Sequence, residues 1–234
     1  MQLFILDEMP DLAAALLCDK HLTSQAKETC QILYTVLHWL DLVPADDPAY
    51  PNLKPLAAVW AHPCVYWASS CATAFLWTVH HGAAICAEFE RRYGHAHAYV
   101  PHFERLAVHF DDVRDLFPRK PAGPFSWLDT LSDKGQESVE PRLAMTDLPT
   151  NVPFAVCAMD PEHIVDGDDG FPSCVQSYRK FYTHKAKKMF VMKWGRELTP
   201  PPAISAAFAQ HYPESAPLQV SAKKRKREVV DEDE

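Results

Sequence analysis

Apolar residues recur at helical spacing through most of the chain. They return every three or four positions over 23–41, 63–93 and 102–117, which is the period of an amphipathic helix with one buried face. Two shorter helices are predicted over 173–189 and 203–211. The pattern therefore predicts a mainly α fold, arranged as a single-domain helical bundle.

The segments between these helices have a different composition. Residues 2–6 are apolar and predict a strand or an extended entry into the core, and Asp11 is expected to cap a short helix over 12–18. The chain has 20 Pro and only 7 Gly, which indicates rigid loops. We predict one domain over 1–213, with a long loop or insertion over 118–153 and a disordered tail over 214–234.

Charge is distributed unevenly. The net charge is −8, but residues 1–170 carry 11 Lys/Arg against 24 Asp/Glu, a net −13. Residues 171–196 carry 7 Lys/Arg and no acid, a net +7. One concentrated basic segment in an acidic protein favours a directed contact with an anion over a generally adhesive surface.

The run Cys18-Asp19-Lys20-His21 places four reactive or ionisable side chains inside an apolar segment, where two buried helices are predicted to join. Charged side chains at such a junction must form ion pairs, contact water, or take part in binding or catalysis. In a pocket, His21 could act as general acid or base, with Asp7 or Asp19 orienting it and Lys20 holding an anion or serving as an amine nucleophile. The alternative is a structural capping network.

His62-Pro63-Cys64 is a second candidate for chemistry. His62 lies at a predicted helix N-terminus, where the dipole favours a bound anion, and Cys64 in the first turn could be an activated thiolate. A buried structural cysteine beside a capping histidine is the alternative.

The basic segment interleaves cations with aromatic residues. Cations at this density suit contacts with phosphates, and tyrosines can stack on bases. A plain solvated basic helix is the alternative. The residues that we assign to nucleic-acid or phosphate binding are Arg92, Tyr178, Arg179, Tyr182, Lys185 and Lys188.

Other site classes receive little support. The seven cysteines include no CxxC pair and the twelve histidines no HxxxH pair with a nearby carboxylate, so we predict buried thiols, no metal and no cofactor. The N-terminal residues lack the basic region of a signal peptide, and no apolar run reaches the length of a membrane span. A cytoplasmic location is expected; the oligomeric state is left open.

The order of several motifs resembles a family of small helical proteins common in tailed-phage genomes. The resemblance covers most of residues 1–196 and does not include the insertion and the tail. The motifs that carry it are Cys18-Asp19-Lys20-His21, His62-Pro63-Cys64, Arg92-Tyr93-Gly94, Ala158-Met159-Asp160 and Tyr178-Arg179-x-x-Tyr182. Members of that family are distantly similar to glycosylase-like proteins implicated in thymine hypermodification of phage DNA. The resemblance therefore implies a location in the cytoplasm of an infected host cell.

Together these observations favour a phage-encoded enzyme that modifies or exchanges a thymine-derived DNA base. Its expected catalytic residues are Asp7, Asp19, Lys20, His21 and His62, because an enzyme that extrudes a base needs an acid–base cluster beside cationic and aromatic walls. Two alternatives stay open: a non-catalytic protein that binds nucleic acid or a host partner, and an enzyme that processes free nucleotides. DNA or a nucleotide is the expected partner, with no membrane contact.

Overall fold

The computed structural model describes a mainly helical body and leaves several stretches of the chain undescribed. The described residues are 2–40, 42–43, 62–69, 72–109, 116, 145–147, 153–155, 160–167, 173–188, 192–195 and 200–214.

Seven α-helices occur in this part of the chain. A 3₁₀ turn, Pro161–His163, precedes the sixth. The helices are α1 (Pro10–Ala15), α2 (Asp19–Trp39), α3 (Pro63–Ser69), α4 (Ala72–Tyr93), α5 (Val100–Val108), α6 (Cys174–Lys188) and α7 (Pro202–His211). The predicted mainly α fold is confirmed.

The helix ends follow local chemistry. Pro10 opens α1 at the first helical position, where its missing N–H costs nothing; Asp11 lies in the first turn and the cap position is Met9. Arg91 and Arg92 close α4, followed by Gly94 in the left-handed conformation at φ 77°. The predicted end of that helix is therefore confirmed.

The N-terminal segment is the centre of the core. Leu3, Phe4, Ile5 and Leu6 are at most 2% exposed, which places an extended stretch, rather than another helix, among the helices. Helices α1, α2, α3 and α5 all pack against α4, and α6 packs against α7 and the 3₁₀ turn. Hydrogen bonds that join α6 to Leu6 and Cys18 bring the basic segment near the N-terminal part of the chain.

Glycine in the middle of a helix is unfavourable, yet α4 runs through Gly82 without interruption. A Cβ atom built on Gly82 would overlap the ring of Phe103, a buried residue of α5. Glycine is therefore present because the two helices approach closely at this point.

Part of the predicted 118–153 loop has regular structure. Two short antiparallel strands, β1 (Met145–Asp147) and β2 (Pro153–Ala155), pair with Thr146 opposite Phe154. Apart from β1 and Pro153, the residues of that loop lie outside the described part of the chain. The tail beyond Glu214 lies outside it as well. No described helix is both long enough and apolar enough to cross a membrane.

Replacing Gly82 with Ala should destabilise the fold by about 1–3 kcal/mol, because the new methyl group overpacks the contact with Phe103. The cost should disappear in a Phe103→Ala background, where the ring is absent. There, alanine's better helix propensity should make the change neutral or stabilising by up to about 1 kcal/mol. Urea unfolding of the four proteins measures this coupling. An equal cost in both backgrounds would contradict the close approach.

Candidate active site

Cys18, between α1 and α2, is held by a residue 164 positions away. The hydroxyl oxygen of Tyr182 on α6 accepts the Cys18 amide at 2.7 Å. The same oxygen lies 3.0 Å from Nδ1 of His21. When the hydroxyl donates its own proton to Nδ1, the His21 proton lies on Nε2.

His21 is neutral at physiological pH. Burial, together with the nearby Lys185 and Lys20 ammonium groups, lowers the pKa of His21 to about 4. The ring also packs against Phe4, with centroids 4.6 Å apart. Burial raises the pKa of the neighbouring Cys18 thiol, so the cysteine is not an activated nucleophile.

One face of α2 continues this site. His21, Gln25 and Glu28 follow one another at steps of four and three residues, which places them along a single helical stripe. Oε2 of Glu28 accepts hydrogen bonds from the backbone amide of Gln2 and from Nε2 of Gln25, both at 2.9 Å. The carboxylate is therefore held at the N-terminal segment by uncharged donors.

Lys185 faces the same carboxylate from α6. Its ammonium group lies 4.9 Å from the centre of the Phe181 ring and 5.9 Å from that of Phe4. Burial lowers the pKa of Lys185, Glu28 opposes that effect, and Lys20 adds to it. We call Lys20, His21, Gln25, Glu28 and Lys185 the Glu28 site. It combines a carboxylate, a neutral imidazole and two ammonium groups.

Glu28 and Gln25 were not among the residues predicted from the sequence. On an amphipathic helix, a charged residue such as Glu28 is expected on the polar face, away from the core. One sequence feature could have identified Glu28. It follows His21 by seven residues, and two helical turns return a side chain to the same face.

Asp19 belongs to a second, separate cluster with Arg92. The Arg92 guanidinium donates to Asp19 Oδ1 at 3.0 Å and to Glu88 Oε1 at 2.6 Å. It also donates to the carbonyls of Leu17 at 2.8 Å and Ala15 at 3.0 Å. With its side chain only 4% exposed, Arg92 connects α4 to the α1–α2 junction, and this geometry does not favour the predicted phosphate contact.

Asp7 belongs to a third cluster. Its carboxylate lies 3.1 Å from Nη2 of Arg179, whose Nε donates to the carbonyl of Leu6 at 2.8 Å. This pair connects the end of the N-terminal segment to α6. Both side chains are about a quarter exposed, which leaves them accessible at one edge.

The remaining predicted residues lie elsewhere. Nδ1 of His62 accepts the amide of Cys64 at 3.2 Å and Cys64 is buried, which supports the capping interpretation. Tyr178 and Tyr182 are 0% exposed, so their rings are not available to stack on a base, contrary to the predicted role. The side chain of Lys188 lies outside the part of the chain that the structure describes.

An open depression of about 610 Å³ lies at the C-terminal end of α4. Arg92 is on its wall, whereas residues of the Glu28 site do not line it. The lining residues are Ala15, Arg91, Arg92, Tyr93, Gly94, Trp194, Gly195, Pro200, Pro201 and Pro202. The structure thus distributes the five predicted catalytic residues among several clusters and does not line this depression with them.

Comparison with known proteins identifies one similarity. Residues 1–100 match the family model of pyrimidine dimer DNA glycosylase. The matched part contains the N-terminal segment, α1 to α4 and Glu28, whereas α6 with Lys185 lies outside it. No curated protein and no solved structure shows a significant match. The N-terminal part of the chain is therefore similar to a glycosylase family that acts on DNA.

Removing the Arg92 guanidinium with Arg92→Met should lower the free energy of unfolding by about 3–5 kcal/mol, because two carboxylates lose a buried partner. Arg91→Met is the matched control. Arg91 binds the same Glu88, but its side chain is 65% exposed, so its loss should cost at most about 1 kcal/mol. Urea unfolding measures the free energy of unfolding of both variants. Equal losses in the two would mean that the burial of Arg92 adds nothing to the stability of the fold.

Replacing Lys185 with Met should raise the pKa of His21 above about 4, because loss of a nearby positive charge favours the protonated imidazole. The pKa should stay below 6.5, since burial still disfavours the charge. Titration of the ring signals by NMR measures the change. Lys27→Met, an exposed position on α2, is the control and should leave the pKa of His21 unaltered. An unchanged titration in Lys185→Met would place the ammonium group away from His21.

Proposed function

We propose that the protein is a glycosylase-like enzyme that acts on DNA and breaks or exchanges the bond between a base and its deoxyribose. The observation that carries the proposal is the Glu28 carboxylate, held by two amide donors beside the ammonium group of Lys185. The similarity of residues 1–100 to pyrimidine dimer DNA glycosylase supports the same reaction class.

Glu28 would stabilise the transition state electrostatically. When a base leaves C1′ of deoxyribose, the sugar develops positive charge, as it does in glycoside hydrolysis. A carboxylate oriented in advance by fixed donors lowers the energy of that charge without having to reorganise. The amides of Gln2 and Gln25 supply this orientation.

The cationic and imidazole groups of the site have separate proposed roles. Lys20 and Lys185 would hold the phosphates that flank the target nucleotide. His21, neutral and with its proton on Nε2 when Nδ1 accepts from Tyr182, would donate a hydrogen bond to a carbonyl oxygen of the leaving base. A water molecule or an incoming base would take the place of the leaving base at C1′, and a proton from the incoming group would neutralise the released base. Lys188 remains a candidate for a further phosphate contact on α6.

The other predicted catalytic residues would position this site rather than react. Asp7 with Arg179 fixes the N-terminal segment against α6, and Asp19 with Arg92 fixes the α1–α2 junction. His62 would contribute only through the start of α3.

For the substrate, we propose a pyrimidine in duplex DNA, extruded from the helix before reaction. Two candidates follow: a damaged pyrimidine, as the name of the matched family suggests, and a thymine-derived hypermodified base in phage DNA, as the motif resemblance suggests. The second candidate would make the protein phage-encoded and active in the host cytoplasm.

Glu28→Gln tests the catalytic proposal. Wild type and variant are incubated with ultraviolet-irradiated duplex DNA and, separately, with thymine-hypermodified phage DNA, and released bases and remaining nucleosides are quantified by mass spectrometry. Glu28→Gln keeps the shape but removes the charge, so activity should fall at least about 100-fold. Glu90→Gln, an exposed position on α4, is the control and should retain activity.

Three results would contradict the proposal in different ways. Equal activity of Glu28→Gln and wild type would exclude Glu28 as the stabilising group. Salt-sensitive DNA binding with no change in either DNA would favour the non-catalytic alternative. Turnover of free deoxynucleotides but not of DNA would favour a nucleotide-processing enzyme.

A further inference from the structure

Three side chains that are dispersed in sequence converge next to α6. Glu162 and His163 lie in the 3₁₀ turn, and His184 lies on α6. One ligand atom from each lies within 4.8 Å of the other two. The imidazole rings of the two histidines are 4.6 Å apart and inclined by 59°. No short spacing pattern marks this cluster, because His184 follows His163 by 21 positions.

We propose that Glu162, His163 and His184 form a binding site for a divalent transition-metal ion, with Zn²⁺ the best match. Two imidazoles and one carboxylate are a donor set that Zn²⁺ prefers, and a water molecule can complete the tetrahedron. The site is separate from the Glu28 site and does not depend on the proposed reaction.

The geometry is close to what such an ion needs. Ligand bonds near 2.1 Å in a tetrahedron put donor atoms about 3.4 Å apart. Nε2 of His163 and Oε1 of Glu162 are already 3.4 Å apart. The ligand atoms lie within 4.8 Å of one another, so the other distances must shorten by at most about 1.4 Å. The side chain of Glu162 is 68% exposed, so it can adjust without disturbing the core.

The surroundings also resemble a metal site. His163 is only 3% exposed, so one ligand is held rigidly by packing. Nδ1 of His184 lies 3.1 Å from the hydroxyl of Tyr212, a partner of the kind that fixes the orientation of a metal-binding imidazole.

A bound ion would reinforce the platform beneath Lys185. The His163 ring packs against Phe181 with centroids 5.0 Å apart, and the Lys185 ammonium lies 4.9 Å from the Phe181 ring. Coordination would connect the 3₁₀ turn to α6 and, through Tyr212, to the segment after α7. We therefore expect the ion to stabilise the fold by binding the native state only.

The test uses the full-length protein after treatment with a chelator. Titration with Co²⁺ is followed by visible absorption, and Zn²⁺ binding is followed by calorimetry and thermal unfolding. We expect one ion per chain, a tetrahedral Co²⁺ spectrum without thiolate charge-transfer bands, and a higher Tm with Zn²⁺.

Glu162→Gln and His184→Ala are the test variants, because they alter the least buried ligands and leave His163 in the core. Outer partners of metal ligands are worth about 10- to 100-fold in affinity, so losing a ligand should weaken binding at least about 10-fold. His80→Ala, at an exposed histidine of α4, is the control and should bind as wild type does.

Several results would overturn the site. Absence of stoichiometric binding would do so, as would unchanged affinity in both test variants. Charge-transfer bands from thiolates would place the ion on cysteine instead. Equal weakening in His80→Ala would indicate non-specific binding to surface histidines.

Discussion

The hydrogen bonds of the Tyr182 hydroxyl are the constraint from which the Glu28 site follows. This one oxygen accepts from the amide of Cys18 and bonds to His21, so it joins α6 to the start of α2 across 164 residues. The phenol is fully buried, where an unpaired amide or hydroxyl would cost about 1–3 kcal/mol. Lys185 follows Tyr182 by three residues, just under one helical turn, and that spacing brings its ammonium group near His21 and Glu28. The position of the cation is therefore set by a buried aromatic residue.

Arg92 performs the corresponding task on the other side of the junction. A buried guanidinium is expensive unless every donor finds an acceptor, and here Glu88, Asp19 and two main-chain carbonyls satisfy it. Burial would raise the pKa of Glu88, but hydrogen bonds from Arg91 and Arg92 lower it. Because the cluster is internally neutralised, its cation is not available to a phosphate group. The acidic and basic residues at the end of α4 stabilise the fold.

Local periodicity was sufficient to predict the helices, whereas the site required information about tertiary contacts. The predicted helices over 173–189 and 203–211 correspond closely to Cys174–Lys188 and Pro202–His211, because apolar spacing reports directly which face is buried. The same reasoning could not tell that Tyr178 and Tyr182 fill the core while Lys185 reaches Glu28, since all three share a helical face. Helix propensity alone would interpret Gly82 as a break in α4, but its role depends on Phe103, a residue of another helix. Charged residues were the hardest to interpret, because their role depends on partners distant in sequence.

The kind of partner separates structural carboxylates from the candidate catalytic one. Asp19 and Asp7 each form an ion pair with an arginine, so their charge is already compensated within a few ångströms. Both hydrogen bonds described for Glu28 come from amide groups, which orient the carboxylate but carry no net charge to cancel it. Lys185 acts on Glu28 from α6, yet burial lowers its pKa and thereby weakens its hold on the proton. A carboxylate oriented in advance by fixed amide donors can stabilise positive charge that develops on a substrate without having to reorganise. The two amide donors thus distinguish the contacts described for Glu28 from the arginine pairs of Asp7 and Asp19.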